Sequence, residues 1–234
     1  MIFPSSLQRG ILQRRYKRFL ADVETKDGLV TMHCPNTGAM SGCAEPGFDA
    51  WYSRSDNKKR KYPHTLELTR NHNGEMIGIN SARANDLVED AVLQRRLVLA
   101  DLSDQLTITR EVRVADARLD LLIESAGVSI FVEVKSATLC RENRRGYFPD
   151  AVSVRARKHL ATLCQIRQQG GRAGLVFCAQ HTGIESVAPA IDIDPLYARQ
   201  LADACAIGVE IYACGCDISP EAINISGQIP FDLA

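Results

Sequence analysis

Ala117-Arg118-Leu119-Asp120-Leu121-Leu122-Ile123-Glu124-Ser125-Ala126-Gly127-Val128-Ser129-Ile130-Phe131-Val132-Glu133-Val134-Lys135 is the stretch whose reading decides the fold. Leu119, Leu121 and Ile123 alternate with Asp120, Leu122 and Glu124, and Ile130, Val132 and Val134 alternate with Ser129, Phe131 and Glu133. Each half therefore reads as a half-buried strand. The residues between them, Ser125 to Val128, include the glycine that a tight turn favours and are too few for a helical crossover, so the strands are predicted to be antiparallel neighbours. Pairing Ile123 with Ile130 brings Leu121 to Val132, Leu119 to Val134 and Asp120 directly opposite Glu133. A slip of one residue would set Leu119 against Glu133 and mix the two faces. Directly opposed Cβ atoms lie roughly 4.5–5.5 Å apart, close enough for two carboxylates to share one hard cation. Lys135, two residues past Glu133, returns to the same face. A solvated cluster of cross-strand charges carries the same signature, with Lys135 relieving the repulsion between the acids.

The flanking text places this hairpin in a larger order. Upstream, Ser81 to Leu97 carries Leu87, Val88, Ala91, Val92 and Leu97 near helical spacing, with Asn80 or Ser81 as its cap, and Leu106 to Val114 reads as a strand. Downstream, Asp150 to Gln169 sets Val152, Ala156, Leu160, Leu163 and Ile166 on one stripe and stops at Gly170-Gly171. A buried strand from Ala173 to Ala179, a helix from Pro195 to Ala206 and a strand from Val209 to Cys214 follow. The order is α-β-β-β-α-β-α-β, without internal repeat, low-complexity tract or helix-turn-helix pair.

Residues 1–80 read differently. Arg15 to Val23, Leu29 to Cys34, Phe48 to Ser53, Thr65 to Arg70 and Met76 to Ile79 are short strands, the first two joined by the Lys26-Asp27-Gly28 turn. They suggest a small barrel of the OB type, spanning residues 1–80, ahead of a second domain at 81–234. The turn-rich loop Cys34-Pro35-Asn36-Thr37-Gly38-Ala39-Met40 is either a plain barrel turn or a lip facing that second domain.

Length and composition fit this division, since 234 residues with 45% hydrophobic content can bury one large core or two small ones. Net charge is zero, but residues 1–80 hold 12 Lys and Arg against 8 Asp and Glu. Two basic runs interleaved with aromatics, Arg14-Arg15-Tyr16-Lys17-Arg18-Phe19 and Lys58-Lys59-Arg60-Lys61-Tyr62, lie in this part, with Trp51 and Tyr52 nearby. Such a surface suits phosphate neutralisation and base stacking, although a solvated charged face reads the same way. Eight scattered cysteines, including Cys214-Gly-Cys216 and Cys34 and Cys43 near His33, lack the C-x-x-C spacing of a zinc site and are expected to be inert thiols. With no signal peptide at Met1-Ile2-Phe3-Pro4 and no apolar run of membrane length, a cytoplasmic protein without a membrane partner is expected.

Asp on the second strand and Glu-x-Lys on the third, within this element order, is the layout of the PD-(D/E)xK nuclease-like core. The surrounding text is more specific: Arg15-Tyr16-Lys17-Arg18-Phe19-Leu20-Ala21-Asp22, Cys34-Pro35-Asn36-Thr37-Gly38, Ala117-Arg118-Leu119-Asp120, Glu133-Val134-Lys135, Phe148-Pro149-Asp150-Ala151 and Arg157-Lys158-His159-Leu160. Together these segments, which cover nearly the whole chain, resemble the sugar fermentation stimulation protein A family of bacteria and archaea. The resemblance implies an α+β, α/β chain of two domains, an N-terminal OB-like barrel and a C-terminal PD-(D/E)xK domain. It also implies DNA binding with little sequence preference and a part in regulating maltose or sugar-fermentation genes. Ala117 and Leu119 stand where Ser and an aromatic residue are expected, a departure that touches packing and removes no ligand.

DNA binding without cleavage is the first expectation and a Mg²⁺- or Mn²⁺-dependent nuclease cleaving DNA or RNA phosphodiester bonds the alternative, for which the roles follow from the chemistry of phosphoryl transfer. Asp120 and Glu133, with the backbone carbonyl of Val134, would hold Mg²⁺ or Mn²⁺, and Lys135 would orient the attacking water and offset negative charge. Glu89 on the preceding helix is either a second-shell group or an exposed helical acid. Arg155, Lys158 and His159 would form one cationic helix flank towards the cleft, or a solvated face. Asp150 would cap that helix or join the catalysis. Arg14, Arg15, Tyr16, Lys17 and Arg18, with Lys58, Lys59, Arg60 and Lys61, are the candidate nucleic-acid contacts. The expected partner is DNA, with RNA as an alternative, and a homodimer is left open.

Overall fold

A computed structural model describes residues 1–99, 102–103 and 105–233. Six strands come first: β1 (Gln8–Tyr16), β2 (Leu20–Thr25), β3 (Gly28–His33), β4 (Asp49–Arg54), β5 (His64–Arg70) and β6 (Met76–Gly78). Their order is β3-β2-β1-β4-β5-β6, and a parallel bridge from His33 to Thr65 closes β3 onto β5, making an OB-type five-stranded barrel. Alternation fills its interior, with Leu12, Val23, Met32, Ala50, Tyr52 and Leu66 packed together. The expected strand Arg15 to Val23 is instead a hairpin, the end of β1 folded back on β2 with Arg15 paired to Ala21. Its turn carries Lys17 and Arg18 at φ 49° and 65°, a bend that no glycine or proline announces in the sequence. β1 also begins at Gln8, ahead of the expected strand.

The second domain contains α1 (Arg83–Leu93), β7 (Thr107–Val114), β8 (Ala117–Ser125), β9 (Val128–Ala137), β10 (Leu139–Cys140), β11 (Arg145–Phe148), α2 (Val154–Gln168), β12 (Arg172–Ala179), β13 (Ser186–Pro189), α3 (Pro195–Ile207), β14 (Glu210–Ile218) and β15 (Ile223–Gln228). The main sheet runs β15-β14-β12-β9-β8-β7, with β9, β12 and β14 parallel through α2 and α3 and the other pairings antiparallel. One face packs Leu87, Val88 and Ala91 of α1 with Leu121, Ile123 and Val132. The other packs Leu160 and Leu163 of α2 and Leu201 of α3 with Leu175 and Phe177. The small β10-β11-β13 sheet and the edge strand β15 are additions to the sequence reading, as their segments are too short or too polar to stand out.

The central hairpin forms with Ile123 opposite Ile130 and Leu121 opposite Val132, as the alternation requires. The ladder then stops. Leu119 joins the core on the α2 side while Leu121 and Ile123 stay on the α1 side, and Glu111, at φ 59°, interrupts the β7 pairing beside Asp120. The expected direct pairing of Asp120 with Glu133 is therefore absent from the ladder; a local twist in β8 replaces it.

Helix boundaries also differ. α1 starts at Arg83 without a side-chain cap, because Ser81 Oγ donates to the Pro35 carbonyl (3.2 Å) and Asn80 Nδ2 to Glu67 (3.1 Å). α2 starts at Val154, and Ser153, not Asp150, caps it by accepting from the Ala156 N–H. The two domains are joined by backbone bonds: Gly78 N–H donates to the Gln180 carbonyl (2.8 Å) and Thr182 N–H to the Met76 carbonyl (3.0 Å). Among the described residues no helix is long and apolar enough to cross a membrane.

Candidate metal and phosphodiester site

Where β8 and β9 part, the Asp120 carboxylate fills the gap. Its Oδ2 accepts the Val134 backbone N–H at 2.8 Å and its Oδ1 accepts Asn85 Nδ2 at 2.9 Å. Glu133 is 2% exposed. Its Oε1 takes hydrogen bonds from Lys135 Nζ and from His159 Nδ1 on α2, while its buried Oε2 has no hydrogen-bond partner among the described residues.

The two acids are in different electrostatic states. Burial, and then the negative charge of Glu133, push the Asp120 carboxyl above its ordinary range, and the Val134 N–H, Lys135 and Asn85 offset this only in part. Burial also pushes Glu133 up, but the His159 hydrogen bond and the Lys135 charge outweigh it and hold Glu133 below the usual value. The site thus combines a buried aspartate whose ionised form its neighbours stabilise only in part with one carboxylate oxygen that has no partner among the described residues. Both features fit a bound cation with hard oxygen ligands.

These groups line a cavity of about 460 Å³ whose wall comes from both domains. The α/β domain gives Asn85, Asp120, Glu133, Lys135, Asp150 and Arg155, and the barrel gives Arg18 and Asn36 to Gly38. The loop after β3 is thus the lip of the cleft. Asp150 Oδ2 accepts the Met40 N–H at 3.0 Å, and a Cβ on Gly38 would come within 2.2 Å of the same oxygen, so only glycine fits there.

The structure brings Asp120, Glu133, Val134, Lys135, Asp150, Arg155 and Arg18 together around this cavity. Other expected members lie elsewhere. His159 is buried behind Glu133, and Lys158 pairs with Asp116, so α2 does not present one cationic flank. Glu89 pairs with Arg110 outside the cavity, and Asn85, one turn earlier on the same helical face, makes the contact to Asp120. The polar face was legible; the turn was not. Arg14 pairs with Asp22 and Tyr16 also bonds Asp22, while Arg15 donates to the carbonyls of Arg18, Asn36, Gly38 and Ala39. Lys17 is exposed at the hairpin tip, and Lys58, Lys59, Arg60 and Lys61 are exposed on the β4–β5 loop, outside the cavity. Among the described residues no group of three or more His, Cys, Asp or Glu is arranged to hold a metal, and Cys43, whose thiol burial pushes up to about 12, is packed in the barrel core.

The family model described as "Sugar fermentation stimulation protein RE domain" matches residues 82–222, and "SfsA N-terminal OB domain" matches residues 14–79. The chain belongs to the sugar fermentation stimulation protein family. A family member from Shewanella sp. (strain MR-4) is 48% identical over 234 residues, 98% of this chain and 99% of its own. One from Shewanella loihica is 47% identical over 237 residues, covering both chains fully. Both carry the name sugar fermentation stimulation protein homolog. Among solved structures, Pyrococcus furiosus SfsA in complex with Ca²⁺ superposes with a TM-score of 0.87 at 30% identity, over 99% of this chain and 98% of that one.

Proposed function

We propose that the chain binds nucleic acid in the cleft between the barrel and the α/β domain and hydrolyses a phosphodiester bond there with a divalent cation, Mg²⁺ or Mn²⁺. The observation that carries this reading is the buried Glu133 Oε2, without a hydrogen-bond partner among the described residues, in the same cavity lining as Asp120. Asp120, Glu133 and the Val134 carbonyl are the groups that would hold the cation, in line with the Ca²⁺ complex of the Pyrococcus protein. When bound, such a cation polarises a phosphate oxygen and makes water acidic enough to serve as a nucleophile. His159 fixes the rotamer of Glu133 through its hydrogen bond. Lys135 Nζ, on the cavity wall, offsets negative charge at the phosphate, and Arg155 and Arg18 at the rim meet the flanking phosphates.

A second reading, sequence-independent DNA binding without cleavage by a regulator of sugar-fermentation genes, draws on one observation and one name. Glu133 Oε1 is already engaged by Lys135 and His159, and the relatives are named for sugar fermentation. Incubating the purified protein with single-stranded, duplex and branched DNA and with RNA, in Mg²⁺ or Mn²⁺, separates the two. Cleavage is expected, reduced by about 100-fold or more in each of Asp120→Ala, Glu133→Ala and Lys135→Ala. If every substrate survives with either metal while salt-sensitive binding persists in EDTA, the hydrolytic reading fails and the binding reading stands.

A further inference from the structure

Resting on that reading, we propose that the cleft takes an unpaired strand, gripped by the Lys17-Arg18-Phe19 tip of the β1–β2 hairpin, with Phe19 as the platform on which a base stacks. A tight turn with two successive left-handed residues is the conformation for which Asn-Gly is preferred, yet here Lys17 (φ 49°) and Arg18 (φ 65°) adopt it. Strained backbone of this kind persists where its surroundings overdetermine it, and it clusters at functional sites. The surroundings do so here. Arg15 donates to the Arg18 carbonyl at 2.7 Å and to the Asn36 and Gly38 carbonyls at 2.9 and 2.8 Å, and Arg18 in turn donates to the Thr37 carbonyl at 2.8 Å. The tip and the lip loop are therefore one rigid unit, and Arg18 lines the cavity that holds Asp120 and Glu133.

The adjacent Phe19 is 47% exposed, and among the described residues it is the only aromatic in the exposed set of large hydrophobic side chains. It follows Arg18 directly at the mouth of the cavity, with Lys17 exposed on the other side of Arg18, and the same cavity is lined by Arg155 and by Val152, which is 64% exposed. An exposed ring among phosphate-binding charges is the arrangement that holds single strands, where bases stack on aromatics while cations follow the backbone. Cavity size points the same way. A volume of about 460 Å³, walled by both domains, falls in the range of pockets that take one ligand-sized unit such as a nucleotide. A flexible single strand can feed one nucleotide into it, whereas a duplex, stiff over about 50 nm, brings both strands together.

The test uses the full chain with Ca²⁺ and measures, by fluorescence anisotropy, binding of a labelled oligothymidylate and of a blunt duplex of equal length. The single strand is expected to bind about tenfold or more tightly than the duplex, and Phe19→Ala to weaken the single strand about tenfold while leaving duplex binding and thermal stability unchanged. Phe19→Trp is expected to retain affinity and to show indole quenching by oligothymidylate beyond any change from Trp51 in the parent. Tighter binding of the duplex, or a Phe19→Ala variant that leaves single-strand affinity untouched or weakens both ligands alike, overturns the inference while nucleic-acid binding stands. Absence of binding to either ligand overturns the proposed function and this inference with it.

Discussion

Asp22 in the barrel and the Asp120/Glu133 pair in the α/β domain are carboxylates withdrawn from water on opposite terms. Asp22, 3% exposed, accepts from Arg14 (2.7 Å), Thr31 (2.6 Å) and Tyr16 (3.2 Å). Burial alone would push its carboxyl up, but these three hydrogen bonds and the Arg14 charge hold it below the ordinary range. At the cleft the balance differs: Asp120 is pushed up by burial and by its neighbour, and Glu133 keeps an oxygen with no partner among the described residues. A fully satisfied buried acid serves the fold, whereas a pair satisfied only in part costs stability until something positive arrives. In sequence both are an aspartate inside an apolar alternation.

The largest expected effect tests the satisfied side. Asp22→Asn removes the charge that organises three donors and should destabilise the protein by about 2–3 kcal/mol, read by denaturant or thermal unfolding. Next, Asp120→Asn relieves carboxylate repulsion and, with the Asn85 amide turned to accept from the new NH2, should stabilise the metal-free protein by about 1 kcal/mol while abolishing the rise in Tm expected of the parent in Ca²⁺ or Mn²⁺. Were Asp120→Asn instead as damaging in the absence of metal as Asp22→Asn, the contrast between the two sites would collapse.

The contrast has a pH signature as well. Asp22 has a depressed folded-state pKa, so its contribution is complete above the unfolded carboxyl value of about 3.9 and is lost as pH falls through the folded value. The gap in stability between parent and Asp22→Asn should therefore narrow in acid. Asp120 has a raised folded-state pKa, so the folded state favours its protonated form, a contribution lost as pH rises through that value. The advantage of Asp120→Asn should appear near neutrality and vanish in acid. Parallel pH profiles for the two variants would contradict the assignment.

The smallest effect concerns Tyr197, wholly buried, with a hydroxyl that has no hydrogen-bond partner among the described residues and whose pKa is pushed up by burial and by the charges of Glu133 and Asp194. Tyr197→Phe removes an unsatisfied polar group and should leave stability unchanged or raise it by up to about 1 kcal/mol. A clear loss in calorimetry would mean that the hydroxyl is bonded in solution.

Much of this was legible in the chain because it depends on local periodicity. Apolar alternation set Ile123 against Ile130, and helical stripes located α1, α2 and α3 to within a few residues. Runs of like charge were less informative. Arg15 and Lys59 look equivalent in the sequence, yet one guanidinium is committed to loop carbonyls and the other cation is exposed on a loop. The same limit applies to the bend at Lys17 and Arg18, which carries neither glycine nor proline and is held by contacts to a loop about twenty residues away.

By itself, then, the sequence determined the two-part plan, the hairpin and the Asp120, Glu133 and Lys135 set, because strand period and motif spacing are properties of neighbouring residues. Only the tertiary structure decided that β8 twists away at Asp120, that Asn85 and not Glu89 reaches it, that His159 stands behind Glu133, and that the barrel lip with Arg18 completes the cleft. Those choices join residues far apart in the chain, and they depend on which buried polar groups find partners after the cores have packed, a balance that no local pattern encodes.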